Sequence, residues 1–165
     1  MTIWVVRHAC AGHKGDWDGP DDSRPLDPAG IDQALALADV LADEPPSELW
    51  SSPAKRCVDT LAPLAHAVGL PVEPDEALRG PDASGLLDRL ETSGSGAVFC
   101  THGEVMAPTL EVLRARGTDV VGGRSDEELL LKGSAWRLER ASSGWRLDVC
   151  APVPRIPCPR HAEPA

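Results

Sequence analysis

Short apolar runs separated by polar, glycine-rich and proline-rich stretches set the pattern of this chain. The first run, Ile3-Trp4-Val5-Val6, shows no alternation, which predicts a strand over residues 2–6 that is buried on both faces and central in a sheet. Residues 10–25 carry no period and are rich in Gly, Asp and His. A loop of that length in a compact domain is often functional. Asp27-Pro28 then supplies a helix N-cap and a first helical position. Ile31, Leu35, Ala38 and Leu41 are spaced as one apolar stripe on that helix, and Pro45-Pro46 closes it.

Leu49-Trp50-Ser51-Ser52 predicts a second strand, and Pro53 opens a second helix with Val58, Leu61, Leu64 and Ala65 on its apolar side. Gly69 marks its end, and Pro63 is expected to kink or shorten it. Residues 71–73 read as a short third strand, and Leu86, Leu87 and Leu90 as part of a helix. Ala97-Val98-Phe99-Cys100 reads as another buried strand, followed by a helix through Val105, Leu110 and Leu113 with Pro108 in its first turns. Residues 129–139 and 145–149 read as a closing antiparallel pair. Strands alternating with helices imply a three-layer α/β/α sandwich around a mostly parallel sheet. No repeat marks a second domain, so residues 1–151 read as one domain and the proline-rich residues 152–165 as an extended tail.

Composition narrows the function. The 165 residues are 42% hydrophobic and 25% charged, which suits a globular fold with a real core. The net charge of -10 repels nucleic acid polymers and anionic membranes, so neither is an expected partner. An anionic substrate would have to be held by a local group of cations. The five cysteines are scattered with no Cys-x-x-Cys pair, so no metal site is expected and reduced thiols in a cytoplasmic protein are. No apolar run is long enough to span a bilayer, and a signal-peptide pattern is not expected.

The chemistry sits where strands end. In sheets of this kind ligands bind beyond the carboxyl ends of the strands. Arg7-His8 lies there on the first strand, Ser51-Ser52-Pro53 with Arg56 on the second, and Thr101-His102-Gly103 on the strand ending at Cys100. Arg7 offers a planar fork of donors for phosphate oxygens, and a neutral His8 offers a ring nitrogen as nucleophile. The nitrogen left free is expected to be Nε2, with the Nδ1 proton on a backbone carbonyl. Arg7 and Arg56 together would neutralise the non-bridging oxygens during phosphoryl transfer. Lys14, in the long loop, is a candidate substrate contact, and Trp17 either covers the pocket mouth or anchors that loop.

With these residues in place the chain resembles the histidine phosphatase superfamily, also described as phosphoglycerate mutase-like. Arg7-His8-Ala9 matches its Arg-His-Gly signature with Ala in place of Gly. Leu26-Asp27-Pro28-Ala29-Gly30 followed by Gln33-Ala34 matches its first-helix pattern, Ser51-Ser52-Pro53 with Arg56 and Thr60 its second motif, and His102-Gly103 its last. The short length and Arg24-Pro25-Leu26 are most similar to the small phosphohistidine-phosphatase branch. They are also similar to the phosphatase domain attached to certain bacterial nucleotide-hydrolysing (Nudix) proteins. The resemblance implies a phosphatase without metal or organic cofactor, His102 as a second phosphate contact, and Gly103 as a point of close backbone approach.

One departure bears on substrate. Many members carry a Glu general acid after the third short strand. Here the matching stretch is Ala77-Leu78-Arg79-Gly80, with Gly at that place. Glu76, Asp82 and Glu104 are the nearby substitutes. An alkyl phosphate expels a poor alkoxide and needs a proton donor. Phosphohistidine and phosphoanhydrides expel better leaving groups. The sequence therefore points to a phosphorylated small molecule or phosphoprotein as substrate, attacked by His8 on a phosphoramidate or anhydride phosphorus. The alternative is a phosphate-binding pseudoenzyme that recognises phosphorylated partners without hydrolysing them.

Overall fold

The computed structural model describes residues 1–150, and the expected tail lies outside them. The first apolar run forms β1 (Thr2–Arg7). The other strands are β2 (Glu48–Ser51), β3 (Val72–Pro74), β4 (Ala97–Thr101), β5 (Asp119–Val120), β6 (Ala135–Ala141) and β7 (Gly144–Cys150). Together they make one seven-stranded sheet in the order β3-β2-β4-β1-β6-β7-β5. β1 pairs parallel with β4, and β2 parallel with both β4 and β3. β6 is antiparallel to β1 and to β7, and β5 is parallel to β7, so β6 alone runs against the rest. The expected α/β architecture with a mostly parallel sheet is what forms.

The non-alternating runs are explained by what covers each face. Helices α1 (Pro28–Ala42) and α2 (Lys55–Val68) cover one side, and α3 (Ser84–Thr92) and α4 (Gly103–Ala115) the other. Trp4, Val6, Val98 and Cys100 point to the first pair, packing with Leu37, Leu41, Leu61 and Leu64. Ile3, Val5, Phe99 and Trp136 point to the second, packing with Leu86, Leu90, Met106 and Leu110. A strand read continuously is therefore two half-cores interleaved with period two.

Asp27 caps α1 as expected, accepting from the Gly30 amide at 2.7 Å with Pro28 in the first turn. The expected stripe is only half right. Ala38 and Leu41 are buried, but Ile31 and Leu35 are 54% and 53% exposed, and Gln33, Ala34 and Leu37 take the inner face. The reason is a buried polar group. Gln33 Oε1 accepts from the Cys10 amide at 2.8 Å and Nε2 donates to the Lys132 carbonyl at 3.2 Å, so a residue that hydropathy assigns to solvent turns inward.

Two further expectations are corrected. Pro63 does not shorten α2, which runs 14 residues to Gly69, whose φ of 71° makes the left-handed cap. Pro63 is only half-buried and lies on the outer side beside Asp59, so its ring disturbs no sheet contact. The segment read as strand from residue 129 begins instead as a helical turn, α5 (Asp126–Leu129), held by a Ser125–Glu128 capping box, and the strand starts at Ala135. Of the cysteines, Cys57 and Cys100 are buried, Cys150 is half-buried, and all three are free thiols.

Candidate active site

The ends of β1 and β4 are tied together by a hydrogen bond from the His8 amide to the Thr101 carbonyl at 3.0 Å. This brings His8 and His102, distant in sequence, to a ring separation of 5.4 Å at an edge-on angle of 66°. Both imidazoles are buried, as is Arg56. His8 Nδ1 lies 2.8 Å from the Ala9 carbonyl. A carbonyl only accepts, so Nδ1 carries the proton and Nε2 keeps its lone pair. Burial is the main reason the His8 ring is held well below its ordinary pKa of 6.5. The Ala9 bond works the other way, and the charges of His102, Arg56 and Arg7 lower it further.

His102 is the N-cap residue of α4 but caps nothing with its side chain. Its Nδ1 lies 3.3 Å from Arg56 Nη2, and its Nε2 lies 2.8 Å from Ser52 Oγ. The guanidinium only donates, so Nδ1 accepts and Nε2–H donates to Ser52. The α4 N-terminus also receives Arg7. A Cβ built on Gly103 would lie 2.8 Å from Arg7 Cζ and 2.9 Å from its Nη2, so only a residue without a side chain leaves room for that guanidinium. Arg7 Nη1 donates to the Leu130 carbonyl, which fixes the other side of the fork.

Arg56, in the first turn of α2, is gripped from the long loop. Its Nη1 donates to the Asp21 carbonyl at 2.9 Å and its Nη2 pairs with Asp21 Oδ2 at 3.1 Å. Its Nε is buried and has no hydrogen-bond partner among the described residues. Burial works to raise the Asp21 carboxyl, but the Arg24 hydrogen bond and the charges of Arg56, Arg24 and Lys14 hold it below the usual range. Two guanidinium groups, a helix N-terminus and two imidazoles thus come together at the carboxyl ends of β1, β2 and β4.

The match to the family model "Histidine phosphatase superfamily (branch 1)" spans residues 3–86, from β1 through α2 into α3. The chain belongs to the histidine phosphatase superfamily. As a member, it is similar to an 8-oxo-(d)GTP phosphatase of Mycolicibacterium smegmatis, with 31% identity over 147 residues covering 83% of this chain and 44% of that protein. The chain therefore spans under half the length of that relative. Among solved structures it superposes on the phosphohistidine phosphatase SixA from Agrobacterium tumefaciens with a TM-score of 0.73 at 24% identity, covering 92% of this chain and 98% of that one. A second SixA structure, from Nakamurella multipartitia, gives 0.68 at 25% identity, covering 92% and 96%. This superfamily's three-layer fold is accordingly the fold of this chain.

The remaining sequence candidates are placed less centrally. Lys14 is exposed on the loop, near enough for its charge to act on Asp21. Trp17 is 38% exposed and its Nε1 donates to the Pro20 carbonyl at 2.9 Å, the contact of a loop anchor. Glu76 is paired with Arg79 at 2.8 Å. Asp82 is fully exposed, and hydrogen bonds from Ser84 lower its pKa, the wrong direction for a proton donor at neutral pH. Glu104 is exposed in the first turn of α4. The Gly80 position itself disfavours a carboxylate. Its φ is 100°, and a Cβ there would lie 3.0 Å from Val105 Cγ2. Among the described residues no group of three or more His, Cys, Asp or Glu is arranged to hold a metal ion.

Sequence reasoning missed the residues that orient the site. Thr60 Oγ1 accepts from the Ala9 amide at 2.9 Å and donates to the Arg56 carbonyl at 2.6 Å, joining the two motifs directly. Ser52 orients His102, and Arg24, buried, donates to the Ala11 carbonyl at 2.8 Å and pairs with Asp21. Ser52, Thr60 and Arg24 all stand inside the motifs quoted above. Their types were visible, but not their partners.

Proposed function

We propose that this chain is a metal-independent phosphohydrolase that works through a phosphorylated His8, on phosphohistidine or on a nucleotide or other phosphoanhydride. The observation that carries the reading is the neutral His8 with its Nδ1 proton on Ala9, beside Arg56 whose buried Nε has no partner among the described residues. The Nε2 lone pair attacks phosphorus, a P–N bond forms, and the bond to the leaving group breaks with its electron pair. Arg7 and Arg56 hold the non-bridging oxygens as charge spreads over them. His102, with Nδ1 3.3 Å from Arg56 Nη2, stands beside the oxygens so held. Water next attacks phospho-His8, the P–N bond breaks, and inorganic phosphate leaves.

Substrate choice follows from the leaving group. No carboxylic acid stands at Gly80, and the nearby carboxylates are exposed or ion-paired. An imidazole or a phosphate leaves without strong general acid help, whereas an alkoxide does not. The SixA structure from Nakamurella multipartitia and the 8-oxo-(d)GTP phosphatase, named for phosphohistidine and for a nucleoside triphosphate, support the two halves of this reading. A panel of phosphohistidine, nucleoside triphosphates and alkyl monophosphates tests it. Turnover should be highest on the first two classes. Fast turnover of alkyl monophosphates with little on the others contradicts it.

The same missing carboxylate favours one rival, a phosphate-binding protein that recognises phosphorylated partners without hydrolysis. That rival gives binding on the panel and no released phosphate.

A further inference from the structure

We propose that Asp21 is a positioning residue for Arg56, acting from the long loop as the middle member of an Arg24–Asp21–Arg56 bridge. The inference rests on the phosphohydrolase reading and names a residue that reading does not use.

The Arg56 guanidinium is divided between two neighbours. Asp21 supplies two of its oxygens to one edge of Arg56, the backbone carbonyl to Nη1 at 2.9 Å and Oδ2 to Nη2 at 3.1 Å. The opposite edge, Nε with Nη2, is the one left facing His102: Nη2 lies 3.3 Å from His102 Nδ1, and Nε has no partner among the described residues. A fork held on one edge by Asp21, with Nε left over on the other, is oriented to present that second edge to an oxyanion. Asp21 thus does not occupy the edge an anion needs.

The other oxygen of Asp21 is fixed too. Oδ1 takes Arg24 Nε at 3.1 Å, and Arg24 Nη1 donates to the Ala11 carbonyl at 2.8 Å and the Gly12 carbonyl at 3.4 Å. Those carbonyls lie two and three residues after Ala9 in the chain. The bridge therefore links the nucleophile's own segment to the phosphate clamp on α2, and sets the distance between attacking nitrogen and held oxygens. Positional errors of about 1 Å in such an arrangement cost on the order of a hundredfold in rate. By contrast Asp22, the next residue, is exposed and pairs with Arg79.

The test compares Asp21→Ala, Asp21→Asn and Asp22→Ala with wild type. It measures kcat and KM on phosphoramidate, affinity for inorganic phosphate, and thermal unfolding. Asp21→Ala should lower kcat/KM by about tenfold or more, mainly through kcat, with unfolding little changed. Asp21→Asn keeps an amide oxygen for Nη2 but turns an NH2 toward Arg24 Nε, so it should recover only part of that loss. Asp22→Ala should stay within about twofold of wild type. The phosphate titration has a diagnostic sign. Removing a carboxylate beside an anion site tightens binding by charge alone, while losing the orientation of Arg56 weakens it. We expect weakening in Asp21→Ala. Tighter phosphate binding, an unchanged kcat/KM, no rescue by Asn, or an equal loss in Asp22→Ala overturns the proposal. If wild type releases no phosphate from phosphoramidate, the phosphohydrolase reading fails, and the phosphate titration still decides the role of Asp21.

Discussion

At the scale of single residues, the account depends on the protonation of one ring. His8 is buried and donates its Nδ1 proton to Ala9, and its pKa lies well below 6.5. Followed by NMR, the His8 ring should remain neutral as pH falls past 6.5, and a midpoint at or above 6.5 contradicts the geometry. The same shift has a sign for stability. In the unfolded chain the ring takes up a proton near its ordinary pKa of about 6.5. Below that pH the unfolded state binds more protons than the native one, so this contribution is complete above 6.5 and is lost as pH falls toward the native value. Replacing His8 with Asn should flatten that part of the stability profile, measured by denaturant unfolding at a series of pH values. Arg7, His8, Arg56 and His102 were legible because their types and spacing suit phosphoryl transfer. Thr60, Ser52, Asp21 and Arg24 were not, because what they do depends on a partner brought close only by folding.

At the scale of elements, the starts of α1 and α4 each rest on a glycine. A Cβ on Gly30 would lie 1.8 Å from the Cys10 carbonyl oxygen, which is backbone and cannot swing away. Gly30→Ala should therefore lower stability by about 1–3 kcal/mol or more, read from urea unfolding. A Cβ on Gly103 meets only the far end of Arg7. Gly103→Ala should leave stability nearly unchanged but displace the guanidinium, lowering kcat/KM by about tenfold to a hundredfold. Equal stability losses in the two variants would contradict this division. The caps of α1 and α2 were readable from Asp27-Pro28 and Gly69, since capping chemistry is local. The inner face of α1 was not, because Gln33 turns inward to serve two backbone groups that the sequence does not place beside it. At α5 the Ser125–Glu128 capping box was present in the sequence, and the apolar residues 129–131 masked it.

Across the whole molecule, the sheet joins two half-cores that cannot exist separately. Each central strand sends alternate residues to α1 and α2 on one side and to α3 and α4 on the other. Leu37→Ala on the first side and Leu110→Ala on the second should each cost about 2–5 kcal/mol, in a single unfolding transition. Two resolved transitions would contradict a common core. The layer order was legible from strands alternating with helices, but the two-residue β5 was not, being too short to leave a pattern. That common sheet is also what brings four charged or imidazole groups from three strand ends to one site. Its central claim is that His8 Nε2 becomes bonded to phosphorus. The most direct measurement is peptide mapping by mass spectrometry after alkaline quench of wild type mixed with phosphoramidate. The account predicts one phosphoryl group, on His8, formed and lost at rates compatible with turnover and absent from a folded His8→Ala variant that releases no phosphate. Phosphate release with no adduct on His8, or undiminished release by His8→Ala, would contradict it.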